Sequence, residues 1–236
     1  MGAFAYSTPI VERFDAIRGG VIHADGLANG PTPDALKSRY LEEQQTVIAE
    51  IGDTPLSQIP SLSAWRRAFT SFGVKPTQYR NAAESLLRRL TKQGDIPSIN
   101  LLVDMANLVS IRYRVPVAVF DQRHVTGSTT VRFADGGELF TDLGSKSVTN
   151  PEPGEVIFVD TGGVVSARRW CWRQSAQSAA GPGTVEAVMT IEGQHRDAAE
   201  TIAAATDDLI SLLDTYQPDA RLAHSHISPE SPVFEF

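Results

Sequence analysis

INLLVDMANLVSIRYRVPVAVFD, residues 99–121, decides the fold. It reads as a buried helix running into a buried strand, with the change at Pro116, because the residue before a proline avoids helical geometry. The expected elements are a helix over 99–113 and a strand over 117–121. Asp104 and Asn107 interrupt the apolar run three residues apart, a spacing that places both on one helix face. Burying a carboxylate and an amide costs several kcal/mol or so unless each finds partners. The pair therefore points to a polar network inside the protein.

Working outward, the segments before this stretch are helical. Leu36, Tyr40, Val47 and Ile51 recur at helical period, with Asp34 as cap and Gly52 as stop. SLSAWRRAFTSFG predicts a second helix capped by Ser61 or Ser63, and TQYRNAAESLLRRLTKQG a third over 77–94. One early strand is expected in AIRGGVIHADGL. After Pro116 the pattern changes to runs rich in Val, Ile and Phe: VPVAVFD, GSTTVRFADGGELF, EVIFVD, VVSARRWCWRQ and TVEAVMTIEG. ADGGE signals a hairpin and TGGVV a turn. Residues 195–216 predict a closing amphipathic helix ended by Pro218, followed by a polar tail, HSHISPESPVFEF. The expected fold is α+β: one domain over 1–236, a helical layer on a mostly antiparallel sheet or sandwich system. Its parts are an N-terminal strand and helices over 1–74, a core over 75–195, and a closing helix and tail over 196–236.

Length and composition are those of a globular chain that builds its core without staples: 236 residues, 42% hydrophobic and 21% charged. A single cysteine, Cys171, rules out an intramolecular disulfide and fits a reducing, cytoplasmic setting. No basic leader precedes a long apolar run, and no stretch approaches the roughly 20 apolar residues of a membrane helix; neither a signal peptide nor a membrane partner is expected. Charge is unevenly spread. The net charge is −7, yet residues 64–173 carry 15 Lys/Arg against 10 Asp/Glu, while 174–236 carry 2 against 10. A basic middle between acidic ends can steer a polyanion, or can be solvated helix faces with no ligand. Arg66, Arg67, Arg80, Arg88 and Arg89 make much of that middle and are the candidate RNA-binding residues.

Standard catalytic signatures are missing: GxSxG, HExxH, CxxC and the Walker loop. His224 and His226 alternate as strand metal ligands would, but no second cluster joins them, so no metal or other cofactor is expected. Cys171, without a His partner, reads as a structural thiol. RRWCWRQS, 168–175, interleaves Arg with Trp. As one strand it would put Arg168, Trp170, Trp172 and Gln174 on one face and Arg169, Cys171, Arg173 and Ser175 on the other. That mixture suits stacking on a ring with charge pairing, or a Trp pair filling core beneath Arg stems.

The run from 96 to 121 resembles the B3/B4 editing module of the phenylalanyl-tRNA synthetase beta subunit. The residues that carry it are Asn100, Val103, Asp104, Asn107, Pro116, Phe120 and Asp121. The downstream order of hairpin, EVIFVD strand, polar strand and a strand ending in Glu192 extends it over about 75–195. The chain as a whole looks like a free-standing version of that module. The resemblance implies a pocket for a misacylated amino acid on a tRNA end, with Glu192 and Asn107 in catalytic roles. It implies Trp172, Arg173, Gln174 and Asn100 as substrate-binding residues. Asp104 is read as a structural tie. tRNA or aminoacyl-tRNA would be the partner, and neither ATP binding nor aminoacylation is implied. Two departures repopulate the pocket: Ala118 stands where the family has His, and Arg173–Gln174 where it has a Gly-Gly step. The implied activity is hydrolysis of the aminoacyl ester in trans; the alternative is a tRNA- or amino-acid-binding module that has kept only the fold. For Glu192 a further reading is open, as a cap for the helix beginning near His195.

Overall fold

The computed structural model describes residues 2–236. In chain order its elements are β1 (Ala3–Tyr6), α1 (Thr8–Arg13), β2 (Arg18–Asp25), α2 (Asp34–Ile51), α3 (Pro60–Ser71), α4 (Ala82–Gln93) and α5 (Leu101–Tyr113). Then come β3 (Val117–Asp121), β4 (Thr129–Phe133), β5 (Phe140–Thr141), β6 (Val148–Thr149), β7 (Val156–Asp160), β8 (Val165–Arg168) and β9 (Arg173–Gln174). β10 (Glu186–Gly193), α6 (Ala198–Tyr216), β11 (Arg221–Ile227) and β12 (Val233–Glu235) complete the chain. The α+β class expected from the sequence is the one observed, with β1–β4 a parallel pair among antiparallel ones.

Two sheets carry the architecture, one ordered β11-β2-β10-β3 and the other β12-β1-β4-β7-β8-β9. Strand alternation assigns the faces of the first. Ile22, Val119, Met189 and Ile191 pack on Leu36, Tyr40, Leu108 and Leu209 of the helices. Val21, Phe120 and Val188 point the other way, onto Phe4, Phe158, Ala167 and Trp170 of the second sheet and its loops. The order is thus helices, then the four-stranded sheet, then the six-stranded sheet. β10 lies between β2 and β3 and is buried on both faces, which explains its near-continuous apolar run.

Two glycines let these layers approach. A Cβ on Gly20 would sit 2.0 Å from Thr206 Oγ1 of α6, and one on Gly19 would sit 2.5 Å from the Tyr6 hydroxyl on the opposite side. No side chain fits either place without displacing a neighbour.

Several expectations need correction. α4 begins at Ala82, not at 77, because the Asn81 side chain accepts the Glu84 N–H and caps the helix there. α3 begins at Pro60 without a side-chain cap, and Ser61 instead donates its hydroxyl to Arg114 O. ADGGE makes no hairpin: β4 pairs with β1 and β7, while the Glu138 carboxylate accepts the Asp135 and Gly136 N–H groups and turns the chain away. The polar tail also forms strands that its sequence does not announce, supplying an edge to each sheet, β11 on β2 and β12 on β1. VVSARRWCWRQ is not one strand. It breaks after Arg168, where Arg169 and Trp170 both take positive φ, 46° and 61°, before β9 returns.

Candidate functional site

That break builds the site. In an unbroken strand Trp170 would share a face with Trp172; the left-handed turn separates them. Trp170 turns inward and is fully buried, edge-on to Phe14 and Trp65 at 4.8 and 5.1 Å between ring centres. Trp172 stays half-buried at the rim, edge-on to Tyr79. The Arg169 guanidinium lies over both the Tyr79 ring (4.0 Å) and the Trp172 ring (4.7 Å), and Arg173 lies over Trp172 at 4.9 Å. Two consecutive left-handed residues that are not glycine cost about 1–2 kcal/mol each, strain that persists only where packing imposes it.

Behind this rim, between the two sheets, is a cavity of about 70 Å³, room for a small side chain or a few waters. Thr190 and Glu192 of β10 face into it, as do Ala118 and Phe120 of β3, residues of matching parity on neighbouring strands. Trp172, Arg173, Gln174 and Cys171 close the side formed by the turn and β9. The remaining apolar wall includes Phe158 and Trp170.

Glu192 is the electrostatic centre of this space. Only 2% of it is exposed, so it does not sit at a partly open strand end. Its Oε1 accepts the Tyr6 hydroxyl at 2.7 Å and the Trp170 indole N–H at 3.1 Å. No cation pairs with it among the described residues. Burial raises its pKa to about 7, against the pull of the Trp170 and Tyr6 hydrogen bonds. It does not cap α6, whose first turn begins beyond Asp197. Burial and the Glu192 charge push both the Tyr6 phenol and the Cys171 thiol well above their ordinary ranges, so both are protonated at neutral pH.

Gln174 donates through Nε2 to Val119 O and Ser178 O, which locks its plane and leaves its carbonyl oxygen as an acceptor. Arg173 is held outward by a two-pronged contact from Nη1 to the Asp142 carboxylate at 2.9 and 2.8 Å. Asn107 does not reach this cavity. It lines an adjoining groove of about 330 Å³ with Ser85, Arg89 and Val103, which shares Ala82, Val117, Ala118 and Gln174 with the cavity wall. Asn100 lies outside both. Its Oδ1 caps α5 at the Val103 N–H, and its Nδ2 holds Ala180 O.

Asp104 is fully buried as the anchor of the segment leading into α5. Its Oδ2 accepts the Thr32 and Ser98 hydroxyls and its Oδ1 the Ile99 N–H. Asp104→Asn should cost about 1–3 kcal/mol, because the new amide puts donors where only donors wait. Urea denaturation measures this, and an unchanged midpoint would mean the network repacks without strain.

The basic residues divide between surfaces. Arg66, Arg80 and Arg88 line one groove, Arg67 sits on the flank shared with Arg66, and Arg89 faces the groove beside the cavity. His224 and His226 are exposed on β11. Among the described residues no three His, Cys, Asp or Glu side chains cluster as metal ligands would, and no helix is long and apolar enough to cross a membrane.

Sequence reasoning missed Tyr6, Trp170 as a partner of Glu192, and Thr190. Tyr6 lies 186 positions from Glu192, and nothing local to AFAY marks it. Thr190 was findable, since it shares strand parity with Glu192.

The description "B3/4 domain" matches residues 64–210, more than half of the chain. The phenylalanine–tRNA ligase beta subunit of Bradyrhizobium diazoefficiens is 39% identical over 83 residues, 35% of this chain and 10% of that one. The same subunit of Neisseria gonorrhoeae is 32% identical over 81 residues, 34% of this chain and 10% of its own. The chain spans about a tenth of the length of these curated relatives. An N-terminal fragment of the Pyrococcus horikoshii phenylalanyl-tRNA synthetase beta-subunit superposes with a TM-score of 0.47 at 11% identity, over 93% of this chain and 49% of that one. On the match that covers most of it, the chain belongs to the B3/4 domain family.

Proposed function

We propose that the cavity receives the acyl group of a mischarged tRNA and that Glu192 activates the water that cleaves its ester. The observation that carries this reading is a buried carboxylate with no cation beside it, tethered through one oxygen only, and with a pKa raised to about 7. Such a group holds or releases a proton at neutral pH, as a general base must. Membership in the B3/4 family and partial likeness to phenylalanine–tRNA ligase beta subunits support the substrate class.

The step is simple. Water gives a proton to Glu192 Oε2 as its oxygen bonds to the ester carbonyl carbon. The bond from that carbon to the ribose oxygen then breaks, and the proton passes to the ribose oxygen. No enzyme atom becomes covalently attached, which suits a site whose thiol, Cys171, is held protonated. The Gln174 carbonyl oxygen and the Thr190 hydroxyl supply polar contacts for the substrate amine, and the Trp172–Arg173 rim takes the ribose end. Rigid walls hold water and ester in register, which is where most of the rate gain arises. The volume, about 70 Å³, favours a small amino acid.

A second reading is a module that binds aminoacyl-RNA without cleaving it. It is favoured by the single carboxylate: Ala118 brings no second proton-transfer group to the wall. Incubation with a panel of mischarged tRNAs separates the two. Hydrolysis predicts many turnovers of free amino acid per protein for at least one small amino acid. Binding without release establishes the second reading.

A further inference from the structure

The second basic surface is more ordered than a solvated helix face. α4 has cations on two flanks. Ser85, Leu86 and Arg89 face the groove beside the cavity, whereas Glu84, Arg88 and Lys92 face a separate groove of about 340 Å³, closed by α3 and the 53–57 connector. At the base of this second groove lies Glu84, 3% exposed. Its Oε1 sits 3.3 Å from Arg66 Nη2 and 3.7 Å from Arg80 Nε, and so aligns two guanidinium groups. Glu84 Oε2 and Arg66 Nε are buried without a hydrogen-bond partner among the described residues. Arg88 and Lys92 stand exposed on the same wall with no carboxylate within ion-pair distance. The groove is thus lined by four cations and two carboxylates, Glu84 and Asp53, with Thr54, Ser57 and Thr91 alongside.

We infer that this groove holds consecutive phosphates of an RNA strand, gripped by Arg66, Arg80, Arg88 and Lys92. The direction of the strand rests on the proposed function: its acylated end lies at the cavity, and the backbone crosses α4 at Arg89 before entering the groove. A helix is about 10 Å across, a distance that a few nucleotides span. The buried Glu84 pre-positions two guanidinium groups, so little side-chain freedom is lost on binding, while Arg88 and Lys92 supply uncompensated charge. A free phosphate or nucleotide would use the same chemistry but would fill only part of the track.

The test uses fluorescein-labelled, unacylated tRNA and the Arg88→Gln/Lys92→Gln variant, whose positions are exposed and lie outside the cavity. Affinity is measured from 50 to 300 mM salt. Two lost phosphate contacts should weaken binding about tenfold at low salt and reduce the slope of log affinity on log salt by about 1.4, at roughly 0.7 per single-strand contact. A folded variant with unchanged slope overturns the inference, as does wild-type protein that does not bind tRNA. Inorganic pyrophosphate that competes as well as tRNA at equal phosphate concentration also overturns it, in favour of a free-phosphate site. Hydrolysis is read separately. The variant should raise KM for mischarged tRNA and leave turnover of a short aminoacyl-adenosine ester unchanged. Wild-type protein that binds tRNA with the expected slope and releases no amino acid would refute the hydrolytic reading and leave the phosphate track standing.

Discussion

Glu192→Gln should lower ester hydrolysis by roughly 10²–10⁴-fold, the usual contribution of a positioned general base, while the protein folds normally. Gln can keep its carbonyl oxygen toward Tyr6 and Trp170, the two donors that Oε1 now satisfies, and loses only the capacity to take a proton. In the wild-type protein kcat/KM should rise with pH, reach half its maximum near pH 7, where the carboxyl is half ionised, and level off above it. In the variant the residual rate should be flat across that range. A variant that retains wild-type turnover would exclude Glu192 as the base.

The same residue gives a stability signature that does not depend on substrate. Its folded pKa, about 7, lies above the ordinary 4.5. Between these values the unfolded chain has released the proton and the folded chain has kept it. The folded state therefore binds more protons, and stability falls as pH rises through the window of about 4.5 to 7. At 1.36 kcal/mol per pKa unit the whole change is about 3 kcal/mol. Glu192→Gln removes this dependence, so the variant should match the wild type near pH 4.5 and exceed it by about 3 kcal/mol at pH 8, read by urea denaturation. Parallel curves would show that the carboxyl titrates normally and is better hydrated than its 2% exposure implies.

How much of this was legible in the sequence depends on the range of the interaction that decides each element. α2 and the helix–strand pair around Pro116 were legible because local period and local punctuation set them. Asp104 was legible as a polar group needing partners, and the partners Thr32, Ser98 and Ile99 confirm a tie rather than a ligand. The 168–175 run was misread because alternation of Arg and Trp looks like a strand, whereas the chain turns where only tertiary packing can impose positive φ on Arg169 and Trp170. The tail was misread because its strands depend on edges made by β1 and β2, more than 190 positions earlier. Glu192 emerged as a candidate from the family resemblance, which the order of strands extended to it. Its burial and its partners did not, since β1, β10 and the turn after β8 meet only in the folded sandwich.

That turn is also where the largest loss of stability is expected. Trp170→Ala should cost about 3–5 kcal/mol, the range for removing a large aromatic side chain from a packed core, and lower the melting temperature by roughly 10 °C for a chain of this size. Three contributions coincide at this residue. The indole is fully buried against Phe14, Trp65 and Phe72. Its indole N–H donates to Glu192 Oε1 at 3.1 Å, a hydrogen bond that Ala cannot make. Its ring is what holds two left-handed residues in place, so with Ala the turn can relax toward an ordinary strand and carry Trp172 and Arg173 off the rim. Trp170→Phe separates packing from chemistry. It keeps most of the ring and should cost less than half as much, yet it removes the indole N–H from Glu192 Oε1. With one of two acidifying hydrogen bonds gone, the carboxyl pKa should rise further, and the pH at which kcat/KM is half-maximal should move above 7. A Phe variant with an unshifted profile would mean that the Tyr6 hydroxyl alone sets the proton affinity of the site. An Ala variant that melts with the wild type would mean that the left-handed turn is held by its neighbours rather than by Trp170.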